Sequence, residues 1–561
     1  MEKNEQEKSQ EIYDEIVLGM KEWRLANPKA KMRDREIEAR KRVSKLEAHL
    51  IEESALASEV KEWAGQGAEE RPQCPNCGEP LTARGKQMRK LQATGGREVR
   101  LERTGRESAP NVRQAFSPLD EELGLQPGSL TPRQQEHLVH LSLWMPFGRA
   151  VKLLNDVTGV QISEATGRRQ TEAAGATYER WQNERADQLC GMEPKTRRGS
   201  SPAQIAEEQG KKAQQESSCQ ARKRKKSHGS CNQRNQAKTE GNKLRLRSDG
   251  AMIPLVGGDY VEVKTLVIGR VQAKEKRSKQ RPDQHVETVD LSYFSRLADA
   301  ETFGRRAIVE TERRGVSLAG QVCAVQDGAE WIQGFVDLHA PDAVRILDFA
   351  HARGYLAEIA ELVREAGTKL PADWLEIQCH DLKHHGPMAV FKEISLLLEK
   401  HPDVPELQTK VNYLRKREQQ MQYPLYQQLG WPLGSGSVES SHKSVVQARL
   451  KGAGMRWERS HVNPMLALRT EICHDRWDQA WVLTCQHRGH QRLQKRISRQ
   501  KIRCDQARHQ LQRLILRMVL LASPLLPKPA SPLPVSSSCV PAGSRRPAPN
   551  HPWRRSLLAK K

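Results

Sequence analysis

Aromatic side chains make up only 5% of this 561-residue chain, and nowhere does it stay apolar for long. The longest apolar run, "LILRMVLLASPLLP", carries Arg517. It falls short of the roughly 20 apolar residues that a membrane-spanning helix needs. The start, "MEKNEQEKSQEIYDEIV", is charged and lacks the apolar core of a secretory signal, so none is expected. The 11 cysteines are odd in number and scattered, which argues against a disulfide framework and for a reducing, cytoplasmic compartment. Acidic charge is also in short supply: 69 Asp+Glu against 92 Lys+Arg leave a formal net charge of +23. An excess of that size points to a polyanionic partner, because Lys and Arg displace the counterions condensed on phosphate.

The length predicts several domains. Residues 1–70 read as charged helices; in "EIYDEIVLGMKEWR" the residues Ile12, Ile16, Val17 and Met20 recur on one face. Residues 71–127 contain a single CxxC, Cys74 and Cys77 in "CPNCG", followed by alternating stretches that suit strands. In 128–190, "GSLTPRQQEHLVHLSLW" predicts a helix with Thr131 as N-cap, Pro132 at the first position and Gln134 completing a capping box. "PFGRAVKLLNDVTGVQISEATGRRQ" then predicts a helix ending near Thr158-Gly159, a short turn, and a second helix capped by Ser163. That is helix-turn-helix spacing, and it offers Thr166, Arg168 and Arg169 as DNA contacts. Residues 191–242, with "RKRKK", read as a basic disordered linker, and the Pro-rich 523–561 as a disordered tail.

From residue 243 the pattern changes. "LRLRSDGAMIPLVGG", "DYVEVKTLVIGRVQ" and "HVETVDLSYFSRL" predict three strands. They are followed by a helix, the strand "QVCAVQ" ending at Asp327, another helix, and the strand "DAVRILD" ending at Asp348. This is an α/β sheet with helices on its faces. It would occupy 243–355 and resume at 431–485 after a helical insertion, 356–430; a basic helical region, 486–522, follows.

Three acids stand out by position: Asp249 in the first strand, Asp327 at the end of a later one, and Glu439 after "GSGS". Carboxylates gathered at one sheet edge repel, so a cation is needed to keep them ionised together. Oxygen ligands suit Mg²⁺ or Mn²⁺, and a pair of such ions can activate a water or 3′-OH against a phosphodiester. Ser437 is placed to cap a helix on which Glu439, His442, Lys443 and Val446 share a face, ending at "KGAG". Read alone, Glu439 is an ordinary first-turn charge; the two upstream aspartates give it a second reading.

In that order of acids, and in the stretches "SDGAMIPLVGGDYVEVKTLVIGRV", "QDGAEWIQGFVDLHAPDAVRILDFAHARGYL", "RKREQQMQYP" and "GSGSVESSHKSVVQARLKGAGMRWERSHVNPMLALRTEICHDRW", the chain resembles bacterial insertion-sequence DDE transposases of the ISKra type. "CPNCG", "FSPLDEELGL" and "NHPWRR" extend the resemblance to nearly everything but the basic linker. The resemblance implies an RNase H-like catalytic domain with a helical insertion, preceded by helix-turn-helix DNA binding. It also implies cleavage and strand transfer at the terminal inverted repeats of an element, with Asp249, Asp327 and Glu439 holding two Mg²⁺ or Mn²⁺ ions. The setting would be the bacterial nucleoid, and synapsis of two ends would require a homo-oligomer. Asp348 is the rival second acid, and His351 would position a phosphate or cap a helix. Lys443, Arg449, Lys451 and Arg456 would hold the DNA backbone, while Trp457 would stack on a base or pack internally. One departure matters. Ala109 and Val112 stand where the family has a second CxxC, so Cys74 and Cys77 are two ligands of the four that tetrahedral zinc takes, and firm zinc binding is not expected. The same departure leaves open a second function, a non-catalytic, transposase-derived DNA-binding protein. "CHDLKHHG", with Cys379, His380, His384 and His385, reads as a partly exposed packing helix.

Overall fold

In the computed structural model, the described residues are 2–61, 63, 67, 71–72, 81–107, 117–191, 243–273, 286–434 and 440–522. The chain divides into two units, Met1–Arg499 and Gln500–Lys561. Cys74, Cys77, Ala109, Val112, Ser437, Glu439, the basic linker and the Pro-rich tail lie outside the described residues.

Among the described residues the fold is mixed α/β, with two sheets. At its start, α1 (Glu2–Ala26) and α2 (Met32–Leu56) form an antiparallel pair. Ser9 meets His49 and Glu53 at 3.0 Å, and Lys45 pairs with Glu15. Ile12, Ile16, Val17 and Met20 are half-buried, as their spacing predicts. Next, β1 (Thr82–Gln92) and β2 (Glu98–Glu107) form an antiparallel hairpin whose Leu91, Val99 and Leu101 pack on Ala48 and Ala55 of α2.

A short helix, α3 (Pro118–Glu122), leads to α4 (Pro132–Trp144), α5 (Phe147–Thr158) and α6 (Glu164–Gly191). Pro132 opens α4 as expected, but the capping box is absent. The Thr131 side chain makes no cap bond, and Gln134 is drawn away to donate to Thr94 in the hairpin turn, 3.2 Å off. Gly159 ends α5 at φ 75°, and an added Cβ would lie 2.8 Å from the Gly95 carbonyl carbon, so the α5–α6 turn is seated on the β1–β2 turn. Ser163 accepts from the Thr166 amide at 3.2 Å, as a cap should.

The larger sheet comprises β3 (Lys243–Pro254), β4 (Tyr260–Ala273), β5 (Val286–Arg296), β6 (Gln321–Gln326) and β7 (Val344–Leu347), in the order β5-β4-β3-β6-β7. The first three strands are antiparallel; β6 and β7 run parallel to β3. Strand alternation gives β3 two faces. Leu244 and Leu246 pack with Phe303 of α7 (Ala300–Arg313) and Phe335 of α8 (Glu330–His339). The other face carries Arg245, Arg247 and Asp249.

On the far side of β6 and β7, Cys323, Val325, Ile346 and Leu347 pack on α9 (Phe349–Glu365) and the helices after it: α10 (Trp374–His384), α11 (Pro387–Lys400), α12 (Pro405–Arg415) and α13 (Tyr423–Gln428). The chain then passes through a π-helical turn at His442–Gln447 into α14 (Arg459–Cys473) and α15 (Trp477–Ala522). α6 meets α14 at Gly175, where an added Cβ would come within 2.1 Å of the Pro464 carbonyl oxygen. In the second unit, Leu511, Leu514, Ile515, Leu516 and Met518 near the end of α15 are exposed. No helix among the described residues is long and apolar enough to cross a membrane.

Candidate active site

Parallel neighbours in register point their side chains to the same face of a sheet. Leu246 of β3 pairs with Ala324 of β6, the last pair of that ladder; carried on by three residues, past the end of β6, the same register sets Asp249 level with Asp327. Gln326 of β6 pairs with Leu347 of β7, and one residue further Asp327 comes level with Asp348. In that continued register Asp249 of β3 falls on one row with Asp327 and Asp348, the residues that follow the ends of β6 and β7.

The three carboxylates are not equivalent. Asp348 is wholly buried and both its oxygens are engaged: Oδ1 accepts from the Ala350 amide at 2.8 Å and caps α9, and Oδ2 takes Arg247 at 3.0 Å. Arg247, 4% exposed, also lies 3.5 Å from Asp249 Oδ2, so one buried guanidinium links the two acids. Asp249 is 31% exposed at its side chain, and its Oδ1 accepts from Gly250 at 2.7 Å. Asp327 is half-buried, with Oδ1 accepting from Ala329 at 2.9 Å. Asp249 and Asp327 are thus the pair with access to solvent. Their hard-oxygen donors fit Mg²⁺ or Mn²⁺, whereas Asp348 is committed to Arg247 and the start of α9. His351, one turn into α9, is exposed.

Sequence reading missed the groups that hold this edge. Tyr413 of α12 donates to the Asp327 carbonyl, and Arg417 donates to the Gly328 carbonyl with Nε at 3.0 Å and Nη2 at 2.5 Å. The Arg417 guanidinium lies 3.7 Å over the Tyr413 ring, and Tyr413 stacks on Tyr355 at 4.0 Å. Burial pushes the Tyr413 phenol well above its usual range. Gly328 sits at φ 85° with Tyr413 and Arg417 close against it, so glycine serves the backbone there and not room for a ligand. Arg417 lies in "RKREQQMQYP", which stood out in the sequence without a role.

Arg245 fixes the neighbouring strand-to-loop junction, with Nη2 2.7 Å from the Gly434 carbonyl and Nη1 3.2 Å from Thr288 Oγ1. Burial pushes its pKa down to about 10. His442, which the sequence puts on the same helix face as Glu439, is 5% exposed and its Nε2 has no hydrogen-bond partner. Burial lowers its pKa, with Asp249 pulling it up and Arg247 pulling it down. The segment was expected to be α-helical, but it is π-helical from His442 to Gln447. Arg469 of α14 explains the extra residue per turn: it donates to the carbonyls of Ser444 at 2.6 Å and Val445 at 3.2 Å, drawing them out of the regular ladder.

The expected basic wall divides in two. Lys443, Lys451 and Arg456 are exposed. Arg449 is not available to DNA: it is 1% exposed, bonded to the Ser142 carbonyl at 2.8 Å, and held between Phe147 and Trp457. Burial brings its pKa down to about 10. Trp457 is buried too and donates to the Leu450 carbonyl at 3.1 Å, so of its two readings the internal packing holds. On α6, Arg168 and Arg169 are exposed and Thr166 half-buried, with Arg169 reaching Thr166 Oγ1 at 3.4 Å.

The chain matches no protein-family model and no curated protein.

Proposed function

We propose that this protein is a DNA transposase whose sheet edge cleaves and joins phosphodiesters with divalent metal. The common level of Asp249 and Asp327 at the end of β6 carries the reading. Supporting it is the sheet itself: three antiparallel strands continued by two parallel ones, with helices on both faces, is the arrangement an RNase H-like domain requires. Asp249 and Asp327 would hold the metal, with Glu439 as the third acid on the sequence resemblance alone. When bound, Mg²⁺ or Mn²⁺ would acidify a water or 3′-OH and stabilise the oxygen leaving phosphorus.

The chain's own residues then divide the remaining work. Arg247 offsets the charge of two of the clustered acids and fixes Asp249 relative to the buried Asp348. Tyr413 and Arg417 hold the Asp327-Gly328 backbone, so the acid is positioned from the helical insertion. Lys443, Lys451 and Arg456, which follow Glu439 in sequence, offer backbone-phosphate contacts. The α5–α6 pair, with Arg168 and Arg169 exposed on its second helix, would read the element's ends in helix-turn-helix fashion.

The test is Mg²⁺-dependent nicking of duplexes carrying the DNA that flanks the coding region. Wild type should cut, and Asp249→Ala, Asp327→Ala and Glu439→Ala should bind but not cut. A wild type that binds these ends and never cuts them would instead favour a non-catalytic DNA-binding descendant.

A further inference from the structure

Outside the acidic row, α10 brings together a set of donors of a different kind. Trp374, Gln378, Cys379 and Leu382 are buried toward the core. That leaves the outward stripe to His380, Asp381 and His384, with His385 just past the helix end. One ligand atom each from His380, Asp381 and His385 lie within 4.8 Å of one another. His380 Nδ1 is 3.6 Å from Asp381 Oδ1. The His380 ring centroid is 4.7 Å from that of His384 and 5.9 Å from that of His385.

These separations suit one small cation. Ligands about 2.0–2.1 Å from a tetrahedral ion stand roughly 3.4 Å apart, so the three atoms would close by at most about 1.4 Å, a movement that rotation of these side chains supplies. The backbone is already set: the His385 and Gly386 amides both donate to the Asp381 carbonyl, at 2.7 and 3.0 Å. Gly386, at φ 89°, makes the sharp turn into α11, which starts with Pro387. His385 is therefore folded back beside His380 before any ion arrives. The site also lies at a helix C-terminus, where the backbone dipole favours positive charge.

We propose that His380, Asp381 and His385 form a binding site for a single first-row divalent transition ion, Zn²⁺, Co²⁺ or Ni²⁺, with water completing its coordination. Two imidazoles and one carboxylate select such ions over Mg²⁺, which prefers an all-oxygen shell. The site is chemically distinct from the acidic row at Asp249 and Asp327, and it does not depend on the transposase reading. Its effect is local: the ion clips the end of α10 to the α10–α11 turn.

The test uses the full chain, freed of metal by chelator and kept in excess Mg²⁺ to occupy oxygen-ligand sites. All proteins carry Cys74→Ser and Cys77→Ser, so that those thiols add no ligands. Co²⁺ is titrated by its visible absorption, and Zn²⁺ by competition with a chromophoric chelator. The protein with an intact cluster should bind one more equivalent, at micromolar concentration or tighter, than the same protein with His380→Ala and His385→Ala. Asp381→Asn alone should weaken that binding about tenfold or more, the scale on which metal-site contacts are felt. His380 and His385 are exposed and Asp381 is half-buried, so the cluster variants should keep the parent's far-UV circular dichroism. Equal stoichiometry and affinity with and without the two histidines would overturn the proposal, as would binding only at millimolar Zn²⁺.

Discussion

Glu471 of α14 offers a demanding test of how the α/β unit is held together. Its carboxylate is 2% exposed and accepts from Arg313 at 3.1 Å to each oxygen, from His474 at 3.0 Å and from Gln182 at 3.3 Å. Arg313 also bridges to Glu310, which in turn holds Arg476 at 3.2 Å. One cluster thus ties α6, α7 and α14 together. Glu471→Gln keeps the shape and removes the charge. Breaking a buried pair costs roughly 3–5 kcal/mol, and because Glu310 still faces Arg313 the lower end applies, about 3 kcal/mol. With a urea dependence of about 3 kcal/mol per M, the midpoint should fall by roughly 1 M at neutral pH.

The same group fixes the pH response. Burial works against the charge on Glu471, but Arg313, His474 and Arg476 outweigh it and hold the pKa well below the usual glutamate range. A folded-state pKa that is depressed gives stability present above the unfolded value, about 4.3, and lost as pH falls through the folded value. Acidification below about pH 4.3 should therefore weaken wild type more than Glu471→Gln, and the gap between them should close. Urea midpoints followed by tryptophan fluorescence from pH 7 downward would read both effects. A variant within about 0.5 kcal/mol of wild type at pH 7, or a gap that does not narrow in acid, would refute the reasoning.

Three further outcomes are expected. Asp348→Asn should lower the melting temperature, because it weakens the buried partner of Arg247, yet retain Mg²⁺-dependent nicking; loss of cutting in a folded Asp348→Asn protein would make Asp348 the second acid. Lys451→Ala with Arg456→Ala should weaken duplex binding and reduce the slope of log K against log[salt] by nearly 2, about 0.9 per phosphate contact, whereas Arg449→Ala should act on stability. Gly175→Ala should destabilise by about 1–3 kcal/mol, measured by urea unfolding, because the new Cβ meets the Pro464 backbone and not a flexible side chain.

Much of the sheet was legible because its strands alternate or run apolar between turn residues, and Asp327 and Asp348 fall at strand ends where the sequence puts them. The level placement of Asp249 was not legible, since register depends on pairing across distant segments. Arg449 and Trp457 show the limit of charge and composition as guides. An arginine shortly after several serines and a lysine looks solvent-facing, yet Phe147, Trp457 and the Ser142 carbonyl hold it in the core. Tyr413 and Arg417 escaped for the opposite reason: they stand 86 and 89 positions from the backbone groups they hold, and no local pattern marks such a contact. The π-helical turn at His442 likewise depends on Arg469, more than 20 residues on.

The central claim is that Asp249 and Asp327 ligate the metal that cuts DNA, and a change of ligand atom tests it most directly. Thiolate binds Mg²⁺ poorly and accepts the softer Mn²⁺. Asp249→Cys and Asp327→Cys should therefore fail to nick flanking-end duplexes in Mg²⁺ and regain nicking in Mn²⁺, while wild type cuts in both. Full activity of both variants in Mg²⁺, or a wild type that cuts with neither metal, would contradict the account.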